Sequence, residues 1–209
     1  ADQGNYSSGL FDPAYWTRPE APAAQAVLDA IPGIDAVHLA DHPASLHGMP
    51  NPLSGLPGIA APSNGFAFRI GPGWQKKYET RFSARYRRNL KRHERKLEEH
   101  GPLELRRLDA TAERLRVLDI LFAQKGEWFA QRGIPDIFAS EGMRRFYRTL
   151  VSAPLEGGSL SVRVYELRVG DRTLAVSVDL LHGNCYYGLV ASTSSCELAR
   201  HGPGNFLIH

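Results

Sequence analysis

Two short glycine turns constrain this chain more than any other feature. Gly170-Asp171 and Gly183-Asn184 both offer residues that tolerate positive φ, and they divide the sequence into three alternating segments, Leu160 to Val169, Thr173 to His182 and Cys185 to Ser192. Turns this tight join antiparallel neighbours, so the three segments read as a meander. Upstream, Leu103 to Leu108 alternates as a further strand after Gly101-Pro102. Thr111 is placed to cap a helix to about Gln131 with Leu115, Leu118, Leu121, Phe122 and Trp128 inward, and a second helix covers about Ser140 to Ser152. Downstream, Gly202-Pro203-Gly204 precedes an apolar helix start, with proline suited to the first turn.

Charge is unevenly spread. The net charge is only +3, yet the stretch from Lys76 to Lys96 holds ten Lys or Arg residues against Glu79 and Glu94. Within it Phe82, Tyr86, Leu90, His93 and Leu97 recur at spacings of four and three, the period of one helical face. That stripe predicts docking, and Arg85, Arg88, Arg92 and Arg95 are then left facing solvent. His93 lies on the stripe and reads as a packing residue. The basic side is either an ordinary solvated face or a seat for an anionic partner.

The first seventy residues are different in kind. They are rich in Pro, Gly and Ala, with one helix candidate at Ala23 to Ala30, an apolar run at Ile34 to Leu39 and an extended segment at Gly65 to Ile70 before Gly71-Pro72-Gly73 punctuates the chain. No run approaches the ~20 apolar residues of a membrane helix, and residues 1–10 lack the pattern of a signal peptide, which predicts a cytoplasmic protein. The two cysteines, Cys185 and Cys196, form no disulfide framework and have no zinc-ligand spacing, so no metal is expected. The absence of an initiator Met and the apolar stretch at the far end predict a truncated fold.

The order from Leu103 onward is strand, helix, helix, three strands, glycine turn, helix start, which resembles the front two-thirds of the GNAT acyltransferase fold. Ser83 through Leu97 resembles the basic helix that opens the CelD-like, cellulose-biosynthesis-type bacterial acetyltransferases. Phe122, Lys125, Trp128, Phe138 and Phe146-Tyr147 resemble that family's helical pair, and Cys185-Tyr186-Tyr187 with Pro203-Gly204 its tyrosine strand and turn. The resemblance implies an α/β (α+β mixed) fold. A GNAT-like lobe with a mostly antiparallel central sheet flanked by helices would occupy residues 76–209, preceded by residues 1–75 as the remnant of a first lobe. A sheet ending after four strands would leave an edge to be covered by the chain itself or by a second copy, so a homo-oligomer is one expectation.

The same resemblance implies acetyl-CoA or another acyl-CoA as donor and an amine or hydroxyl acceptor, on a sugar or cell-envelope precursor. In this superfamily the diphosphate sits on a Q/R-x-x-G-x-G/A turn at a helix start, where backbone amides and the helix dipole favour an anion. Ala199-Arg200-His201-Gly202-Pro203-Gly204 supplies the glycines, but it has Ala at the first position and Pro203 removes one amide. Arg200, Gly202, Gly204 and Asn205 are the expected diphosphate contacts, and Val190, Ala191 and Ser192 the backbone edge for the pantetheine arm. Either this is the cofactor turn, or it is a Pro-Gly turn that merely starts a helix.

Acyl transfer also needs proton-transfer groups. Asp179 lies in an apolar strand on one face with Ala175 and Ser177, where a carboxylate needs a partner or a task; it is either a base or a structural group. Tyr186 or Tyr187 on the next strand is the second candidate, with Tyr187 taken as the catalytic one. Lys125 and Trp128, at i and i+3, are placed by the resemblance beside the acceptor cleft, with Arg85 and Arg88 as further substrate contacts. Two other functions fit the residues. One is an aminoacyl-tRNA-dependent peptidyltransferase of Fem type, for which the basic helix would hold tRNA or a nucleotide-sugar. The other is a non-catalytic binding module, suggested by the imperfect turn.

Overall fold

The computed structural model describes residues 71–153, 160–183 and 185–207, together with residues 30, 32, 33, 44–46 and 49–51. The chain divides into two compact units, Ala1–Pro72 and Gly73–His209. In the first unit, β1 (Ser45–Leu46) pairs antiparallel with β2 (Met49–Pro50), and the Asn51 N–H donates to the Ala44 carbonyl at 2.9 Å. The segments expected at Ala23 to Ala30, Ile34 to Leu39 and Gly65 to Ile70 lie outside the described residues, apart from Ala30 in a turn.

The second unit opens with two helices where one basic helix was expected: α1 (Trp74–Arg81) and α2 (Ala84–Glu98). Phe82 turns extended between them, and Ser83 starts α2 as its N-cap, its Oγ accepting the Tyr86 N–H at 3.2 Å. The Arg87 guanidinium donates to the carbonyls of Glu79 and Phe82, so the break is bridged by a side chain. The expected register of α2 holds. Arg85, Arg88, Arg92 and Arg95 are exposed, Tyr86, Leu90 and His93 are half-buried, and Leu97 is fully buried.

Four strands, β3 (Leu103–Arg107), β4 (Leu160–Val169), β5 (Arg172–His182) and β6 (Cys185–Thr193), form one antiparallel sheet in chain order. Gly170 and Gly183 take φ of 54° and 53° at the two hairpins, the conformation for which glycine is suited. Between β3 and β4 run α3 (Thr111–Arg132) and α4 (Glu141–Ser152), the latter capped by Ser140. Ala110, not Thr111, occupies the cap position of α3, and the Thr111 hydroxyl instead accepts from the buried Arg114.

The main core joins Val117, Leu118, Leu121 and Phe122 of α3 and Tyr147 and Val151 of α4 to Val162, Val164, Val176 and Val178 of the sheet. Trp128, expected inward, is 37% exposed; Gln124 is buried in its place. A second cluster of Leu97, Val169, Leu174 and Leu198, with Leu103, Cys196 and Phe206 against it, docks α2 and the last segment. The apolar start expected at the end of the chain is a 3₁₀ helix, Pro203–Leu207, preceded by another at Glu197–His201.

One charged group is locked into this sheet. The Glu166 carboxylate is 1% exposed and accepts from Thr173 Oγ1 at 2.5 Å and Arg116 at 2.9 Å, with Arg106 at 3.5 Å. It therefore ties β3, β4, β5 and α3 at one point. Burial alone would raise its pKa, but the Thr173 and Arg116 hydrogen bonds and the two guanidinium charges outweigh that and hold it below the usual range.

Leu97→Ala should cost about 2 to 5 kcal/mol in urea unfolding, because it empties a fully buried site where α2 docks. Leu105→Ala, at a position 48% exposed, should shift stability by about 0.5 kcal/mol or less. Equal effects would mean that α2 is not part of the cooperative unit.

Candidate functional site

β5 is buried from Leu174 to Asp179, so both of its faces are covered there. Alternation sends Val176 and Val178 to the α3 side and Ala175, Ser177 and Asp179 to the other. Asp179 is 5% exposed, and its Oδ2 accepts from Ser177 Oγ and Tyr186 Oη, each at 2.7 Å. Burial is the largest influence on its carboxyl and raises the pKa; the two hydroxyl donors pull the other way without cancelling it. The Tyr186 hydroxyl is also pushed up, first by burial and then by its bond to Asp179, with the neighbouring Tyr165 adding a smaller push in the same direction.

The tyrosine on Asp179 is Tyr186 and not Tyr187, and a bulge explains why. Val178 pairs with Val190 but Asp179 with Gly188, which leaves Leu189 as a surplus residue in β6. Beyond the bulge Ala191 and Thr193 stand across from Ser177 and Ala175; before it the same face belongs to Gly188 and Tyr186. Strict alternation back from Ala191 would have put Tyr187 there. Tyr187 instead stands across from Leu180 on the α3 side, half-buried, with its own pKa raised by burial.

Val190, Ala191 and Ser192 follow the bulge, and among the described residues β6 pairs with β5 alone. The Ser192 side chain turns to α3, where its Oγ donates to Gln124 at 2.7 Å. At the end of the strand a Cβ on Gly204 would stand 2.9 Å from Thr193 Cγ2, so the glycine turn lies over the Asp179 face, four residues along β5 from Asp179. At ~3.3 Å per residue that separation is about 13 Å.

The turn itself is held from within. Gly202 takes φ 59°, its N–H donates to the Ala199 carbonyl at 2.9 Å, and the Asn205 N–H donates to the Gly202 carbonyl at 3.0 Å. Two amides are thereby used in the chain's own folding, and Gly204 is required by Thr193 before any ligand is considered. Arg200 is exposed, its Nε donating to His201 Nε2 at 3.3 Å. His201 packs its ring 5.6 Å from that of His93, and burial, then the charges of Arg200 and His93, lowers its pKa. Arg200 is therefore the charge that this turn offers an anion.

The remaining expected residues lie elsewhere. Lys125 and Trp128 sit on α3, the layer opposite Asp179. Burial lowers the pKa of Lys125, whose Nζ lies 5.4 Å from the Trp128 ring, and Arg132 stacks on the same ring at 4.0 Å. Arg85 and Arg88 are on the outer side of α2. Sequence reasoning named Asp179 and its neighbour Ser177, but passed over Tyr165 and set Tyr186 aside for Tyr187. The available signal was the Tyr-Tyr pair, which guarantees one hydroxyl on each face.

Among the described residues no helix is long and apolar enough to cross a membrane, and no group of His, Cys, Asp or Glu is gathered to hold a metal ion. Residues 84–209 match the family model described as an acetyltransferase (GNAT) domain. No curated protein matches the chain.

The raised carboxyl makes a prediction whose sign is definite. A folded-state pKa above the unfolded value of ~3.9 means that Asp179 favours folding only while protonated, and that contribution is lost as pH rises through the folded pKa. Asp179→Asn should therefore be at least as stable as the parent at pH 7, and its advantage should shrink toward pH 4. Denaturant unfolding at both pH values checks this; an Asn variant that is less stable at pH 7 would mean that the two hydroxyls stabilise the carboxylate more than burial opposes it.

Proposed function

Because the chain belongs to the GNAT acetyltransferase domain family, we propose that it moves an acetyl or other acyl group from acyl-CoA to an amine or hydroxyl acceptor. The observation that carries the reading is the Ser177–Asp179–Tyr186 cluster at one end of a bulged strand whose far end meets a glycine turn with an exposed arginine. The ~13 Å between them suits an extended carrier arm with an anion at one end and a reactive group at the other.

Bound acyl-CoA would supply a thioester carbonyl: the acceptor's nitrogen or oxygen bonds to its carbon, the C–S bond breaks with the electron pair on sulfur, and the acceptor's proton ends on the thiol. The chain's part is to move that proton. Tyr186 is 52% exposed while Asp179 is buried, so Tyr186 Oη takes the acceptor's proton as it passes its own to Asp179 Oδ2. The reverse movement delivers a proton to sulfur. Ser177 holds Asp179 in place, and the backbone edge at Val190, Ala191 and Ser192 lines the arm, with Arg200 near the diphosphate. A sugar or cell-envelope precursor as acceptor rests on the resemblance to CelD-like proteins alone.

Tyr186→Phe and Asp179→Asn should each lower the rate of thiol release from acetyl-CoA by about 100-fold or more while the chain stays folded, the usual worth of a proton-transfer group. Tyr187→Phe should leave the rate within a few-fold. Loss of activity in Tyr187→Phe alone would overturn the assignment.

Arg200→Ala should weaken acetyl-CoA binding about tenfold to a hundredfold in calorimetry, the range for one charge-assisted hydrogen bond of about 1.5 to 3 kcal/mol. It is a cleaner test than Gly204→Val, which would also drive a methyl into Thr193. Undiminished binding by the Arg200 variant would move the diphosphate away from this turn.

A further inference from the structure

On α2, at about 100° per residue, Lys91, Arg95, Arg88, Arg92, Arg85 and Lys96 fall in one arc of about 140° that holds no carboxylate of the helix itself, the one acid in its sweep being Glu99 just past the helix end. Glu94 and Glu98 lie outside the arc, on the side of Arg87. All six cations are exposed, and the four at 85, 88, 92 and 95 make a single line at spacings of three, four and three. The helix is rigidly presented, since Leu97 is fully buried and Ser83 caps the start.

Elsewhere in the same unit, among the described residues, the exposed arginines without an ion pair, Arg132, Arg144, Arg145 and Arg200, are scattered over α3, α4 and the last turn, and five others are paired. Arg107 bridges to Asp109, Arg116 to Glu166, Arg148 to Asp119, Arg168 to Asp171 and Arg172 to Glu197. Among the described residues, Lys96 alone of the arc has such a partner, Glu99, and Arg95 reaches no further than the Lys91 carbonyl. We propose that this face of α2 docks the phosphodiester backbone of a nucleic acid, without reading its bases. This inference is independent of the acyl-transfer reading.

Three features select that partner. Arginine's planar fork suits phosphate oxygens, and four of the six cations are arginine. Ten residues separate Arg85 from Arg95, a rise of about 15 Å, which calls for a polymer of charges and exceeds what one diphosphate offers. Finally, the arc contains no large apolar side chain, and the helix's apolar stripe lies on the opposite side, with Tyr86, Leu90 and His93 half-buried and Leu97 in the core. It lacks the free apolar face that a helix lying in a membrane interface needs.

The test is fluorescence anisotropy of the 209-residue chain with labelled single-stranded RNA and duplex DNA, each of about twenty nucleotides per strand, across a salt series. Two variants are compared: Arg85, Arg88, Arg92 and Arg95 all changed to Gln, and Arg107, Arg148, Arg168 and Arg172 all changed to Gln. They carry the same change in net charge. The parent should bind with a slope of log affinity on log salt of about −3 to −4, as four phosphate contacts require. The first variant should lose about 100-fold and flatten the slope, while the second, shown by circular dichroism to be folded, stays within a few-fold of the parent. Equal loss in both variants, binding that ignores salt, or binding to phosphatidylserine vesicles with none to either nucleic acid would each overturn the proposal.

Discussion

A strand covered on both faces cannot leave a polar group to water, and β5 is such a strand. Leu174 through Asp179 are all buried, so the valines facing α3 and the polar residues facing away are subject to the same demand. Ser177 meets it by donating to Asp179, and Asp179 meets it by drawing in the Tyr186 hydroxyl. The same demand acts on β4, where the buried Glu166 draws Thr173, Arg106 and Arg116 toward it from three other elements. The two carboxylates end up with opposite tendencies. Glu166 is surrounded by cations and stays charged, whereas Asp179 has only neutral donors and is pushed toward its protonated form.

The meander, the two helices and their boundaries were legible because each is a local matter: glycine at the hairpins, serine before α4, alternation within strands. The break at Phe82-Ser83 was concealed by an apolar stripe that runs across it. Phe82 and Tyr86 keep a ring spacing of 5.2 Å even though the chain between them leaves the helix. Trp128 was misplaced for a related reason, since helical period alone does not rank Trp128 against Gln124 for a place inside. Gln124 prevails because both ends of its amide are used, by Ser192 and by the Thr173 carbonyl.

The site was half legible. An aspartate amid valines is visible in any reading, but its partner depends on whether β6 has one residue more than β5 over the paired stretch. That is a property of two strands together, and no single segment displays it. The glycine turn shows the converse: Gly202 and Gly204 were read from the chemistry of a diphosphate, yet the backbone's own left-handed turn and the methyl of Thr193 already require them. The motif's residues are thus compatible with the ligand without being evidence for it.

The sheet's connectivity also bears on how the chain assembles. β4, β5 and β6 are joined by tight turns, so their pairing closes short loops, whereas β3 reaches β4 only after roughly fifty residues of α3, α4 and their links have been gathered in. Glu166 sits on the strand that belongs to both processes: its bond to Thr173 lies within the meander, and its pairs with Arg106 and Arg116 wait for the late-arriving strand and helix. Thr173 alone would leave Glu166 a buried carboxylate with one neutral partner, so the long connection through α3 and β3 is what brings this charge its two cations.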